Sequence, residues 1–142
     1  MPNTGPEPAS PAPLRVVAGI ILAPAADRIL LARRPLHKHL GGLWEFPGGK
    51  LEAGEAAAAG LTRELREELG IRVLASEFFL CIDHDYGDCA LRLEAWLVRA
   101  FAGQPVGREG QAIAWVERTR LGDWPMPAAN RPIAAALRAA VP

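Results

Sequence analysis

The 142-residue sequence has only two cysteines, Cys81 and Cys89, a single tyrosine, and two lysines among its 16 basic residues. Two cysteines without Cys-x-x-Cys spacing or a companion histidine pair make a poor zinc site. Their separation would let them face each other across a hairpin, but in a reducing compartment they read as two half-buried thiols. Net charge is also missing, since 16 Lys and Arg balance 16 Asp and Glu. A broad nucleic-acid surface draws its affinity from excess basic residues, so that class is excluded, whereas a small charged ligand in a local site is not. No apolar run approaches the roughly 18 residues of a membrane span. The opening residues also lack the basic-then-apolar layout of a secretory signal, so the expectation is a cytoplasmic protein that meets no membrane.

What is present suits one compact domain. Half of the residues are hydrophobic, and a chain of this size buries roughly 68–70% of its unfolded surface, enough to fold without metal or disulfides. Residues 1–13, MPNTGPEPASPAP, hold five prolines. They cannot repay the entropy of ordering and are expected to form a disordered tail ahead of a single domain over 14–142. LRVVAGIIL, from Leu14, reads as a strand, Pro24 to Asp27 as a turn and Arg28 to Arg33 as a second strand, together a hairpin. PLHKHLGGLWEFPGGKLEAGE reads as a loop, and a helix is expected from about Glu55 to Leu69, ended by Gly70. Strand patterns recur over Arg72 to Ile82, Cys89 to Phe101 and in QAIAWVE, with DHDYGD as a polar turn. A closing helix is expected over Ala128 to Ala140, with Ile133, Leu137 and Val141 at four-residue spacing. Trp44, Trp96, Trp115 and Trp124 are expected in the core or lining a pocket. Strands before and after a central helix, then a terminal helix, predict an α/β/α sandwich around a mixed sheet.

The central helix carries the chemistry. With Leu61 at zero, Leu65, Ala58 and Leu69 fall at about 40°, 60° and 80°, while Glu67, Glu64 and Glu68 fall at about 240°, 300° and 340°. The carboxylates therefore border the apolar stripe rather than oppose it. At i, i+3 and i+4 they repel one another, and partial burial makes this worse, so a cation should compensate. A hard divalent ion, Mg²⁺ or Mn²⁺, suits carboxylate oxygens, and Arg63 and Arg66 are the alternative compensators. Taken alone, such a segment also reads as solvated helix surface.

The full pattern is more specific: Gly49, five residues, Glu55, seven residues, then Arg63-Glu64-Leu65-Arg66-Glu67-Glu68-Leu69-Gly70-Ile71. It resembles the Nudix box at every fixed position. The resemblance implies a loop-helix-loop that binds divalent metal and hydrolyses a nucleoside diphosphate linked to another group. It gives Glu64, Glu67 and Glu68 as metal ligands and catalytic residues, with Glu64 or Glu68 helping to activate water, and the Gly48 carbonyl as a further ligand. Gly48 and Gly49 allow a tight backbone turn. Arg63 is expected to pair with Glu55 or another box carboxylate and so tie loop to helix, and Lys50 is expected to touch phosphate.

Beyond the box, VAGIIL, ILLARR, WEFPGGK, AWLVRAFAGQP, GREGQ and PMPAANRP are similar to the MutT type of this family, covering almost everything after residue 13. That similarity implies pyrophosphate removal from nucleoside triphosphates, 8-oxo-dGTP foremost; monomer and homodimer both stay open. It gives Glu109 as a distant glutamate near the metal, although an exposed loop acid fits too. Asn130 corresponds to the asparagine that reads the modified purine, its amide offering both donor and acceptor; an N-cap for the last helix is the other reading. Arg34 matches an arginine near the nucleotide's phosphate or base, Tyr86 matches an aromatic beside the base, and His39 and Lys38 share a loop that can close over phosphates. DHDYGDCALR departs from the family in charge and size, which leaves the base open. A cytosine or other damaged nucleotide is the nearest competitor. A sensor that binds without hydrolysis would be expected to have lost box carboxylates. Residues 1–50, 51–70 and 71–142 carry +3, −3 and 0, so the zero balance conceals an acidic segment beside a basic one.

Overall fold

From Val17 to Ile21 every residue of the first strand is buried, which requires apolar cover on both faces. The computed structural model describes residues 12–139 and supplies that cover from two helices. Its elements are β1 (Leu14–Ile21), β2 (Arg28–Arg33), β3 (Trp44–Glu45), β4 (Gly48–Lys50), α1 (Ala57–Leu69), β5 (Arg72–Asp85), β6 (Ala90–Ala102), β7 (Ile113–Glu117), a 3₁₀ turn (Arg118–Asp123) and α2 (Arg131–Ala139). Val17 and Ile21 of β1, Leu30 of β2 and Val98 of β6 pack with Leu61, Leu65 and Leu69 of α1. The alternate residues Ala18, Ile20, Ile29 and Leu31 pack with Ile133, Ala134 and Leu137 of α2. The period-two alternation of the strands thus builds two apolar layers, one under each helix. This is the expected α/β/α sandwich.

The β layer is divided into two sheets, ordered β4-β1-β6-β5 and β3-β2-β7. β1 runs parallel to β6, from Leu14 opposite Leu91 to Ile21 opposite Val98, and antiparallel to β4. The expected β1–β2 hairpin does not form: one antiparallel bridge, Leu22 to Ile29, joins them. Both edges of β1 are taken by β4 and β6, and both edges of β2 by β3 and β7. The loop between Pro35 and Glu52 therefore contains two short strands that its Gly and Pro content concealed.

Local chemistry sets the other boundaries. α1 begins at Ala57 rather than near Glu55, because the Glu55 amide donates to the Glu52 carbonyl and the Glu55 carboxylate accepts the Glu52 amide, each at 2.9 Å. Gly70 ends α1 in the left-handed region at φ 72°, its N–H bonded to the Arg66 carbonyl. The β5–β6 ladder continues to Asp85 opposite Ala90, so the first half of DHDYGD is strand and the turn tightens to Tyr86–Cys89. This separates the cysteines. Cys81 lies opposite Glu94 and is exposed, contrary to the half-buried expectation, Cys89 is half-buried in the turn, and both are free. α2 starts at Arg131, and Asn130 immediately before it gives its backbone carbonyl to the Ala134 amide. Ala140 and Val141, and residues 1–11 of the expected tail, lie outside the described residues; Ala12 and Pro13 are exposed and without regular structure. The four tryptophans are half-buried, with Trp44 and Trp124 edge to face at 4.7 Å. Among the described residues no helix is long and apolar enough to cross a membrane.

Candidate active site

β4 lies so close to β1 that a Cβ on Gly48 would run into the Val17 carbonyl, and one on Gly49 would fall on the Glu64 carboxylate. The double glycine thus lets the glutamates of α1 approach the backbone. Glu64 rests over Gly49, and Glu68 lies near the Gly48 backbone. Arg63 ties this region to the preceding loop. Its Nε and Nη2 each donate to Glu55 at 2.8 Å, Nη1 donates to Glu64 at 3.0 Å and Glu67 at 3.5 Å, and Nη2 also reaches the Lys50 carbonyl at 3.2 Å. Glu67 is otherwise exposed, as is Lys50.

The charges divide into a satisfied pair and an unsatisfied cluster. The Arg63 fork, with the Glu52 amide, holds Glu55 down to about 2. Glu68 is pushed up to about 8, by burial first and then by the charges of Glu64, Glu109 and Glu45. Burial also raises Glu64, against the pull of Arg63, and raises Glu45, against the pull of Arg34. Carboxylates raised by one another report negative charge without adequate local compensation. Glu109, on an exposed loop, is close enough to contribute to that field.

This donor set suits a hard divalent cation in its oxygen chemistry and its unbalanced charge. Among the described residues, no three such side chains already converge in ligating geometry; Glu64 and Glu67 turn toward Arg63 instead. Binding an ion would thus require these two side chains to turn away from the guanidinium.

The candidate nucleotide residues gather on the neighbouring elements. Arg34 donates to Glu45 Oε1 and to the His39 carbonyl, both at 2.9 Å. The His39 ring stands edge-on to Tyr86 at 6.0 Å. The Tyr86 hydroxyl accepts the Ala129 amide at 2.9 Å, fixing the segment that carries Asn130. Asn130, 7% exposed, does not cap its own helix with its side chain: Oδ1 accepts the Phe46 amide, 84 residues away, at 3.3 Å. Sequence reasoning missed Glu45, which joins the Arg34 end to the carboxylate cluster; its one signal was a carboxylate placed directly before the buried Phe46. Two surface cavities of about 440 and 380 Å³ include none of these carboxylates.

The NUDIX domain family matches residues 17–136. The 8-oxo-dGTP diphosphatase of Escherichia coli K12 is 35% identical over 88% of this chain and 96% of its own length. The CTP pyrophosphohydrolase of the same organism is 39% identical over 91% of this chain and 96% of its own. A solved MutT, from a study of the Aliivibrio salmonicida and Vibrio cholerae proteins, superposes with a TM-score of 0.82 at 42% identity, covering 92% of this chain and all of that one. A family match over most of the chain and relatives above 30% identity across nearly their full length agree with the geometry of α1 and the double glycine: the chain belongs to the NUDIX domain family.

Proposed function

We propose that the protein is a Mg²⁺-dependent nucleoside triphosphate pyrophosphohydrolase, with 8-oxo-dGTP its foremost substrate, that cleanses the cytoplasmic nucleotide pool. The observation that supports it most is the pair Glu64 and Glu68 drawn up against Gly49 and Gly48, with Glu68 pushed up to about 8. Glu64, Glu67, Glu68 and Glu109, with the Gly48 carbonyl, would hold the ion, Mn²⁺ being the alternative. When bound, the ion neutralises phosphoryl charge and lowers the pKa of a coordinated water. The oxygen of water bonds to the β-phosphorus, the bond from that phosphorus to the α–β bridging oxygen breaks, and pyrophosphate and nucleoside monophosphate leave. Glu68 or Glu64 takes the proton from the water. Arg63 orients the box through Glu55 and Glu64.

Asn130 reads the base with Tyr86 beside it, Arg34 lies against phosphate or base, and Lys50 and the loop of His39 face phosphate. The substrate is a free nucleotide rather than nucleic acid, consistent with the balanced charge. A second reading, cytosine nucleotides as substrate, is favoured by the 39% identity to a CTP pyrophosphohydrolase. Pyrophosphate release from a panel of normal and oxidised nucleotides, with and without Mg²⁺, tests both. The proposal expects 8-oxo-dGTP to lead the panel, turnover to vanish in chelator, and Glu67→Gln to be folded and nearly inactive. Full activity in folded Glu67→Gln would sink the mechanism, and CTP or dCTP leading would select the second reading.

A further inference from the structure

Glu109 sits on an exposed loop whose neighbouring backbone is tied to the last turn of α1. A surface carboxylate on a free backbone would swing into solvent, so the groups that aim this backbone decide where Glu109 can reach. The loop is tightly turned, with the Gly110 amide bonded to the Gly107 carbonyl at 3.0 Å and Gly110 at φ 83°. A Cβ on Gly107 would run into the Gln111 carbonyl. The Gln111 side chain occupies the inside of this turn. Its Oε1 accepts the Glu109 amide at 2.9 Å, and its Nε2 donates to the Glu68 carbonyl in the last turn of α1 at 3.2 Å. The Arg108 amide reaches the same Glu68 carbonyl at 3.0 Å, and the Arg108 guanidinium reaches the Arg66 carbonyl at 3.1 Å. An amide side chain is needed here, because one atom must accept and the other must donate.

We propose that Gln111 is a positioning residue: by clamping the Glu109 amide to the Glu68 carbonyl, it holds the Glu109 carboxylate over the acidic cluster of α1. The proposal rests on the pyrophosphohydrolase reading above. Both ends of the Gln111 amide bond backbone groups, so its effect on ion binding should pass through Glu109. Substituting groups that orient a ligand typically changes metal affinity or activity about 10–100-fold.

The test uses full-length Glu109→Gln, Gln111→Ala, Gln111→Glu and the Glu109→Gln/Gln111→Ala double variant, with Mn²⁺ binding in the absence of nucleotide, the Mg²⁺ half-saturation of turnover, and amide hydrogen exchange at Glu109. Gln111→Ala is expected to weaken Mn²⁺ binding and raise Mg²⁺ half-saturation about tenfold, and to speed Glu109 amide exchange, with exchange in the α1 interior unchanged. Gln111→Glu cannot donate to the Glu68 carbonyl and is expected to behave likewise. Adding Gln111→Ala to Glu109→Gln should cost nothing further, which a merely structural role would not give. The proposal is overturned if Gln111→Ala binds Mn²⁺ like the parent while Glu109→Gln does not, or if the two losses multiply in the double variant. If Glu109→Gln alone binds Mn²⁺ like the parent, the role given to Glu109 fails and the clamp with it. If no nucleotide is turned over by the parent protein, the pyrophosphohydrolase reading fails, while Mn²⁺ binding and amide exchange still judge Gln111.

Discussion

Arg63 grips Glu55 with two guanidinium nitrogens, Nε on Oε2 and Nη2 on Oε1, both at 2.8 Å. Such a fork is directional as well as attractive, and it fixes the loop before α1 to the face of α1 that bears the box carboxylates. Nη1, left over from the fork, reaches Glu64. Loop position and carboxylate orientation therefore depend on one side chain.

The first prediction concerns acid stability. Glu55 titrates at about 2 in the folded protein against an ordinary 4.5, so its contribution is present above 4.5 and is lost as pH falls through about 2. Glu55→Gln is expected to lower Tm at neutral pH and to flatten the fall in Tm between those two values. Thermal melts from pH 2 to 7 check this, and an unchanged acid limb would show that the fork carries no linked stability.

Glu68 predicts the opposite slope in a different window. Its folded value of about 8 stands above the ordinary 4.5, so the neutral form is favoured in the folded state, and the associated stability is lost as pH rises from 4.5 through 8. Melts in chelator should show Tm declining over this range, and the decline should disappear in Glu68→Gln. Magnesium at a hundredfold excess over its Kd should restore about 2.7 kcal/mol at pH 8. A parent protein whose melts in chelator are flat from pH 5 to 8 would remove the basis for an unbalanced cluster.

What the sequence made legible was whatever depends on neighbours along the chain. Gly70 at the end of α1, the bounds of β2 and the apolar stripe Leu61–Leu65–Leu69 follow from local backbone preference and periodicity. The box also disclosed its own spacing. What stayed hidden depends on partners far away in sequence. Asn130 looked like a base-reading amide or else a helix cap, and neither reading disclosed that its side chain accepts from Phe46. Tyr86 looked like a residue beside the base, and its hydroxyl is also bonded to the Ala129 amide. The β1–β2 hairpin looked natural because the turn between the two strands is short, yet four other strands compete for their edges. Glu45 lies in WEFPGGK, but nothing in that run singles it out, and its place is set by β3 pairing with β2.

Adjacent glycines supply a third prediction. In Gly48→Ala the new methyl group meets the Val17 carbonyl and the Ala18 backbone, which cannot yield without parting β4 from β1. In Gly49→Ala it meets the end of the Glu64 side chain, which can swing away. Gly48→Ala should therefore lower Tm and activity together. Gly49→Ala should leave Tm close to the parent value and lower kcat by about a hundredfold, the scale of a displaced reacting group. Melts and kcat on the same two preparations separate the cases; equal loss of Tm in both would refute the distinction.

Asn130 permits a test that separates support from recognition. Its Oδ1 accepts the buried Phe46 amide, so Asn130→Ala strands a donor and should cost about 1–3 kcal/mol of stability. Asn130→Asp keeps an acceptor for Phe46 but loses the amide N–H₂ group, the only donor the side chain can offer a purine carbonyl. If the side chain only supports the fold, Asn130→Asp should resemble the parent and Asn130→Ala should lose stability with no change in substrate preference. If it also reads the base, both variants should shift the ratio of kcat/KM for 8-oxo-dGTP over dGTP toward unity, and Asn130→Asp should do so while retaining most of the parent Tm. The second pattern is expected. An unchanged ratio in both variants would return Asn130 to a structural role and make the cytosine-nucleotide reading the stronger one.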